Sequence, residues 1–137
     1  MAIGSRLDTA LGVSIFRYNS GTDLFEEAGS ITAGVGEAGL GTAVALDGGG
    51  DALIVSADDE LGVGTVGVYQ YNESNEWTPV GSVLYSEDPD NAADWGQSVA
   101  ISGTGRTIAV GQPGYSTNPV LGTGRDAGRV VIYRASP

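Results

Sequence analysis

Two acidic clusters hold the side chains with the most obvious chemical capacity, Asp58-Asp59-Glu60 and Glu87-Asp88-Pro89-Asp90. Paired carboxylates hydrolyse glycosides when one donates a proton and the other attacks, or activates water, across a defined gap. Nothing in the spacing sets these two clusters facing each other, and no nucleophile–base pair accompanies them. The chain has no His and no Cys, and its six cations are all arginines. That removes the imidazole base, thiolate chemistry, disulfides and zinc sites built on those ligands. The expectation is a protein without a catalytic centre, with a polysaccharide-active enzyme as the alternative these clusters leave open. Every charged ligand available is oxygen, so any metal should be calcium rather than zinc. Asp88, Asp90 and Asp94 offer the densest ligands for it.

Composition narrows the rest. The 137 residues suit one domain. With 41% hydrophobic and 17% charged residues, the chain is too apolar for disorder and too poor in charge for a solvated helix or coiled coil. No apolar run approaches the roughly 18 residues of a membrane-crossing helix. Seventeen acids against six cations give a net charge of -11, which repels phosphate backbones and anionic membranes. Neither nucleic acid nor membrane insertion is expected. Met1 to Arg6 has no basic region followed by an apolar core, so it does not read as a signal peptide.

The elements that must position those acids emerge when the chain is laid against itself. Gly41-Thr-Ala-Val-Ala-Leu-Asp-Gly-Gly-Gly50 matches Gly96-Gln-Ser-Val-Ala-Ile-Ser-Gly-Thr-Gly105 at an offset of 55. The register continues into Leu53-Ile-Val-Ser56 and Ile108-Ala-Val-Gly111, with Met1-Ala-Ile-Gly4 as a third copy. Val13 to Tyr18, Val66 to Tyr71 and Val130 to Arg134 form a second set. Phe25 to Ile31 and Trp77 to Val83 form another. Each is a short run of β-branched, aromatic and alanine residues bounded by Gly, Asp, Asn or Ser, and no stripe of helical period occurs.

The fold expected is all-β. Four strands recur in about 50 residues, the pattern of a propeller blade. They fall at Gly41 to Leu46, Leu53 to Ser56, Thr65 to Tyr71 and Trp77 to Leu84, with Val44, Ala45, Ile54, Val55, Val99 and Ala100 in the interior. This reading divides the chain into a partial blade (1–39), a full blade (40–94) and a second partial blade (95–137), about two and a half four-stranded antiparallel blades in an incomplete ring. A β-sandwich with a duplicated hairpin is the alternative. Ten strands fall short of the roughly 16 that the smallest closed propeller needs. The expectation is therefore part of a longer propeller chain, or a chain whose ends are covered by partner subunits.

The stretch Trp95-Gly96 to Gly111-Gln112-Pro113 resembles the FG-GAP repeat of integrin-α-type β-propellers and their microbial relatives. The first signature dipeptide of that family falls on Trp95-Gly96 and Leu40-Gly41. The second falls on Gly111-Gln112-Pro113, Ser56-Ala57-Asp58 and Gly4-Ser5-Arg6, and a Gly-x-Val-x-x-Tyr element follows at Gly128 to Tyr133 and, more loosely, Gly64 to Tyr69. The resemblance implies a propeller, often secreted or at a cell surface, used in adhesion and protein contacts. An extracellular, cell-surface or organelle-lumen location follows from it. Many members carry a calcium loop of three or more carboxylates between strands 1 and 2. Here Asp47-Gly-Gly-Gly-Asp51 keeps two carboxylates and Ser102-Gly-Thr-Gly-Arg106 none, so calcium does not carry over to the second loop. In the first it would rest on Asp47 and Asp51 alone, the other reading being a hairpin turn that favours Asp and Gly.

An up-and-down blade puts its 2–3 and 4–1 connections on one face, which gathers Asp8, Glu37, Asp58, Asp59, Glu60, Glu87, Asp88, Asp90, Asp94 and Asp126. Such acids either solvate a surface or bind a cation or polar ligand. Tyr69, Tyr71, Trp77, Tyr85 and Trp95 could stack on sugars or pack between blades. Asn72-Glu73-Ser74 is a glycosylation sequon in an exposed hairpin. The function expected is a non-catalytic interaction or structural module whose partner is another protein or further blades of the same propeller. The alternative is an adhesion module binding calcium or glycan through its acidic face.

Overall fold

The computed structural model describes residues 1–4, 12–32, 39–57, 63–88, 94–117 and 127–136. Ten strands run through them: β1 (Ala2–Gly4), β2 (Val13–Asn19), β3 (Leu24–Ile31), β4 (Leu40–Leu46), β5 (Ala52–Ala57), β6 (Thr65–Tyr71), β7 (Trp77–Pro79), β8 (Ser98–Ile101), β9 (Thr107–Gln112) and β10 (Arg129–Arg134). There is no helix among the described residues. The strands form three antiparallel meanders, β1-β2-β3, β4-β5-β6-β7 and β8-β9-β10, none closed on itself. The chain is all-β, as its residue pattern predicts.

β5 shows why the sheets stack. Its run Leu53-Ile-Val-Ser-Ala57 is buried throughout, so both faces of the central sheet are covered. Side chains alternate along a strand, and the alternation splits the run in two. Leu53, Val55 and Ala57 pack with Val13, Ile15 and Ile31 of the first sheet. Ile54 packs with Val66, Trp95, Ile108 and Val110 on the other side, toward the third sheet. Burying each of these aliphatic side chains contributes about 1.5–3 kcal/mol.

Pairing repeats along the chain. Val44 opposes Val55, Ala45 opposes Ile54 and Leu46 opposes Leu53. Val99 opposes Val110, Ala100 opposes Ala109 and Ile101 opposes Ile108, each partner displaced by 55 residues. Positive φ recurs at the same spacing, at Gly41 (96°) and Gly96 (81°). At Gly96 the conformation is enforced by neighbours, because a Cβ would stand 2.9 Å from Val66 Cγ2 and 3.0 Å from Ser56 Cβ.

Two expectations need correction. Ile54 and Val55 are fully buried, but Val44, Ala45 and Val99 are only half-buried and Ala100 is exposed. The cause is position: β4 and β8 are edge strands of their sheets. The strand expected over Trp77 to Leu84 is also broken. Val80 N–H bonds to Val68 O at 2.8 Å, and Val66 and Leu84 exchange both backbone bonds at 3.0 and 2.8 Å. The chain therefore spends four steps, Val80 to Leu84, against two on β6. Pro79 offers no N–H to the ladder, and Gly81 takes a φ of 73° in the resulting bulge.

Candidate functional site

The hairpin end of the stack holds Asp47 and Asp51. Asp47 Oδ1 accepts the Asp51 and Ala52 N–H groups at 3.0 and 3.1 Å, closing the β4–β5 turn. In the β8–β9 turn Ser102 Oγ accepts the Thr107 N–H at 3.1 Å, the same task with an uncharged group. Asp51 Oδ1 instead takes Arg17 Nη2 from the first sheet at 2.6 Å. The same guanidinium lies 4.7 Å from the Tyr71 ring centroid. A second link joins hairpin tips, Gly48 N–H to Gly103 O at 3.1 Å. A cleft of about 260 Å³ lies beside Asp47 and Asp51, with Gln70 and Arg106 in its wall. Calcium asks for six to eight oxygens. Here two carboxylates already serve a turn and an ion pair, with Arg106 beside them.

At the opposite end the structure describes Glu87, Asp88 and Asp94 of the acidic face. Asp8, Glu37, Asp58, Asp59, Glu60, Asp90 and Asp126 lie outside the described residues, and both candidate hydrolytic clusters fall wholly or partly among them. Asp88 N–H meets Ser86 Oγ at 3.4 Å, and Ser86 Oγ donates to Asp88 O at 3.2 Å. Asp94 is exposed at a φ of 59°, its carbonyl accepting the Gln97 N–H at 3.2 Å. Among the described residues no three carboxylates gather to hold a metal ion.

The best-organised polar group at this end is one that the sequence reading passed over. Arg129, opening β10, donates through Nε to Gln112 Oε1 at 2.8 Å and through Nη2 to Ser86 Oγ at 3.0 Å. Its guanidinium lies 4.2 Å from the Tyr115 ring centroid and 5.7 Å from that of Trp95. Gln112 is buried, and the half-buried arginine links it to Ser86, which follows the second sheet. An open groove of about 470 Å³ runs past Gln97, Ser98, Pro113 and Arg129. Tyr133 is pushed above the ordinary tyrosine range by burial and then by the charge of Glu87, with Arg129 opposing both. A lone arginine after a long loop gives no motif, since its partners lie 17 and 43 residues away.

Four of the five singled-out aromatics have packing contacts. Tyr69 and Trp77 border the first core cluster, and Trp77 Nε1 donates to Ala28 O at 3.3 Å across the sheets. Trp95 is fully buried in the second cluster, with Nε1 donating to Leu84 O at 3.4 Å. Tyr71 lies under Arg17, while Tyr85 is exposed. In the β6–β7 hairpin Asn72 Oδ1 accepts the Ser74 and Glu76 N–H groups at 2.9 and 3.0 Å. Tyr71 Oη donates to Asn75 there, as Tyr18 Oη donates to Asp23 in the β2–β3 hairpin.

The two outer faces of the stack carry exposed apolar side chains, Met1 and Ile3 on the first sheet and Val130 and Ile132 on the third. Set against family models, curated proteins and solved structures, the chain matches none of them.

Proposed function

We propose that the chain is a non-catalytic array of propeller-type blades of the FG-GAP kind, serving as a protein-interaction or structural subunit. The observation that carries the reading is the stacking of three antiparallel meanders through two separate apolar clusters, with apolar side chains still exposed on both outer faces. Such faces on a soluble fold mark contact surfaces. The recurrence of pairing and positive φ at a spacing of 55 residues supports the repeat reading, and with it the assignment of the sheets to successive blades. On this reading the hairpin-end carboxylates hold the array together, and the Arg129 group braces the other end.

The test is native copurification on the immobilised chain. A retained protein partner, lost in the Ile132→Glu or Ile3→Glu variant and unaffected by a calcium chelator, is the expected result. Failure of the wild-type chain to retain any protein, its own copies included, would overturn the reading. A calcium-dependent rise in Tm would replace it with the adhesion alternative, and release of reducing sugar from acidic polysaccharides with the enzymatic one.

A further inference from the structure

We infer that the two outer faces bind each other, so that a second copy of this chain docks head to tail, its first sheet on the third sheet of its neighbour. This rests on the blade reading above and names the partner.

The interfaces already inside the chain supply the argument. Strand pairing aligns the three sheets position by position: Gly4 opposes Val13, Ser56 opposes Val66 and Gly111 opposes Val130. In that alignment Val130 and Ile132 occupy the places of Val13 and Ile15, and Met1 and Ile3 those of Leu53 and Val55. The chain buries Val13 and Ile15 against Leu53 and Val55 in its first core cluster. Val13 and Ile15 are 2% and 1% exposed, whereas Val130 and Ile132 are 67% and 63% exposed. Leu53 and Val55 are 0% and 1% exposed, whereas Met1 and Ile3 are 54% and 51% exposed. The outer face of the third sheet thus repeats the β2 part of that interface and the outer face of the first sheet the β5 part, the two lying at opposite ends of the same molecule.

The polar contact at the rim repeats as well. Arg17 of the first sheet lies over Tyr71 of the second, at 4.7 Å. By the same alignment Arg134 takes the place of Arg17, and Tyr18 the place of Tyr71. Arg134 is exposed and Tyr18 is 55% exposed. In a head-to-tail pair Arg134 of one copy reaches the Tyr18 ring of the next, a cation–π contact of the kind already made internally. Docking of this sort is heterologous, so it extends into chains or closes into a ring according to the rotation between copies.

Sedimentation velocity tests the inference. The wild-type chain is expected to form larger species as concentration rises from low to high micromolar. Ile3→Glu and Ile132→Glu, each blocking one face, are each expected to be monomeric. Mixed in equal amounts they are expected to form dimers and nothing larger, because one intact face of each kind remains. Arg134→Ala and Tyr18→Ala, which leave the cores untouched, are expected to weaken association about two- to fivefold each and no further together. Circular dichroism confirming that each variant keeps its strands separates loss of docking from loss of the fold. A wild-type chain that stays monomeric throughout, folded variants that stay monomeric when mixed, or an Ile3→Glu chain that still dimerises alone would each overturn head-to-tail docking. Retention of a different protein by a monomeric wild-type chain, lost in Ile132→Glu, also overturns it while leaving the interaction-module reading intact.

Discussion

Arg17 Nη2 stands 2.6 Å from Asp51 Oδ1, joining β2 of the first sheet to the β4–β5 hairpin of the second. The two side chains are 50% and 59% exposed, so solvent screens the pair. Asp51→Ala should therefore cost only about 0.2–1 kcal/mol, less at high salt. Arg17→Ala should cost about 0.5–1 kcal/mol more, since it also removes the guanidinium from the Tyr71 ring. Urea denaturation of both single variants and the double variant measures the coupling. Equal losses for the two single variants would remove Tyr71 from this account.

Glycines of positive φ differ in what surrounds them, and so should their alanine variants. Gly50 has a φ of 73° and nothing within 4 Å of where a Cβ would stand, so Gly50→Ala meets backbone strain alone, about 1–2 kcal/mol. Gly96 adds contacts at 2.9 Å and 3.0 Å with Val66 and Ser56, which belong to the packed second and third sheets' junction. Gly96→Ala should cost about 2–4 kcal/mol by thermal or urea unfolding. A cost for Gly50→Ala as large as that for Gly96→Ala would contradict the tight packing at the start of β8.

These positions also mark what could be read in advance. The Leu40-Gly41 and Trp95-Gly96 pairs are visible because positive φ and close approach demand glycine, and the alternation of β5 is visible because burial on two faces demands an apolar run. The broken strand after Pro79 was less legible, since Gly81 and Ser82 match Gly29 and Ser30, which stay within β3 even though its pairing with β2 shifts register there. The half-burial of Val44 and Val99 follows from the edge positions of β4 and β8 in their sheets, which the apolar residue pattern alone does not encode. Asp47 and Asp51 look alike in sequence, yet one caps a turn and the other meets an arginine 34 residues away. Arg129 was hard to read for a related reason: Gln112 opposes it across the β9–β10 pair, but Ser86 and Trp95 reach it only through the stacking of the sheets.

That arginine carries its own expectation. Its Nε bond to the buried Gln112 side chain is charge-assisted, and such bonds contribute about 1.5–3 kcal/mol. Arg129→Ala should lose about that much stability. Arg129→Lys keeps the charge but presents no planar fork to hold Gln112 and Ser86 together, so it should recover less than half of the loss. Chemical denaturation ranks the three proteins. A lysine variant as stable as wild type would mean that charge alone suffices there.

Stability should fall at both extremes of pH, each limb traced to a named group. Glu26 accepts Asn19 Nδ2 at 3.0 Å and Thr22 Oγ1 at 2.8 Å, and these bonds hold its carboxyl below the ordinary 4.5. A lowered folded-state pKa means that stability is fully present above the unfolded value and drains as pH falls through the folded one. Glu26→Gln has no proton to take up, so its acid limb should be shallower than the wild-type one. Tyr133 moves the opposite way: burial first, then Glu87, raise it above 10.0. Its contribution is intact below that value and drains as pH climbs through the raised folded-state pKa, because the unfolded chain ionises first. Tyr133→Phe should flatten the alkaline limb, and Glu87→Gln should flatten it partly, since burial remains. Urea midpoints across the pH range read both limbs, and a Tyr133→Phe curve parallel to wild type above pH 10 would show that the tyrosine carries none of the alkaline loss.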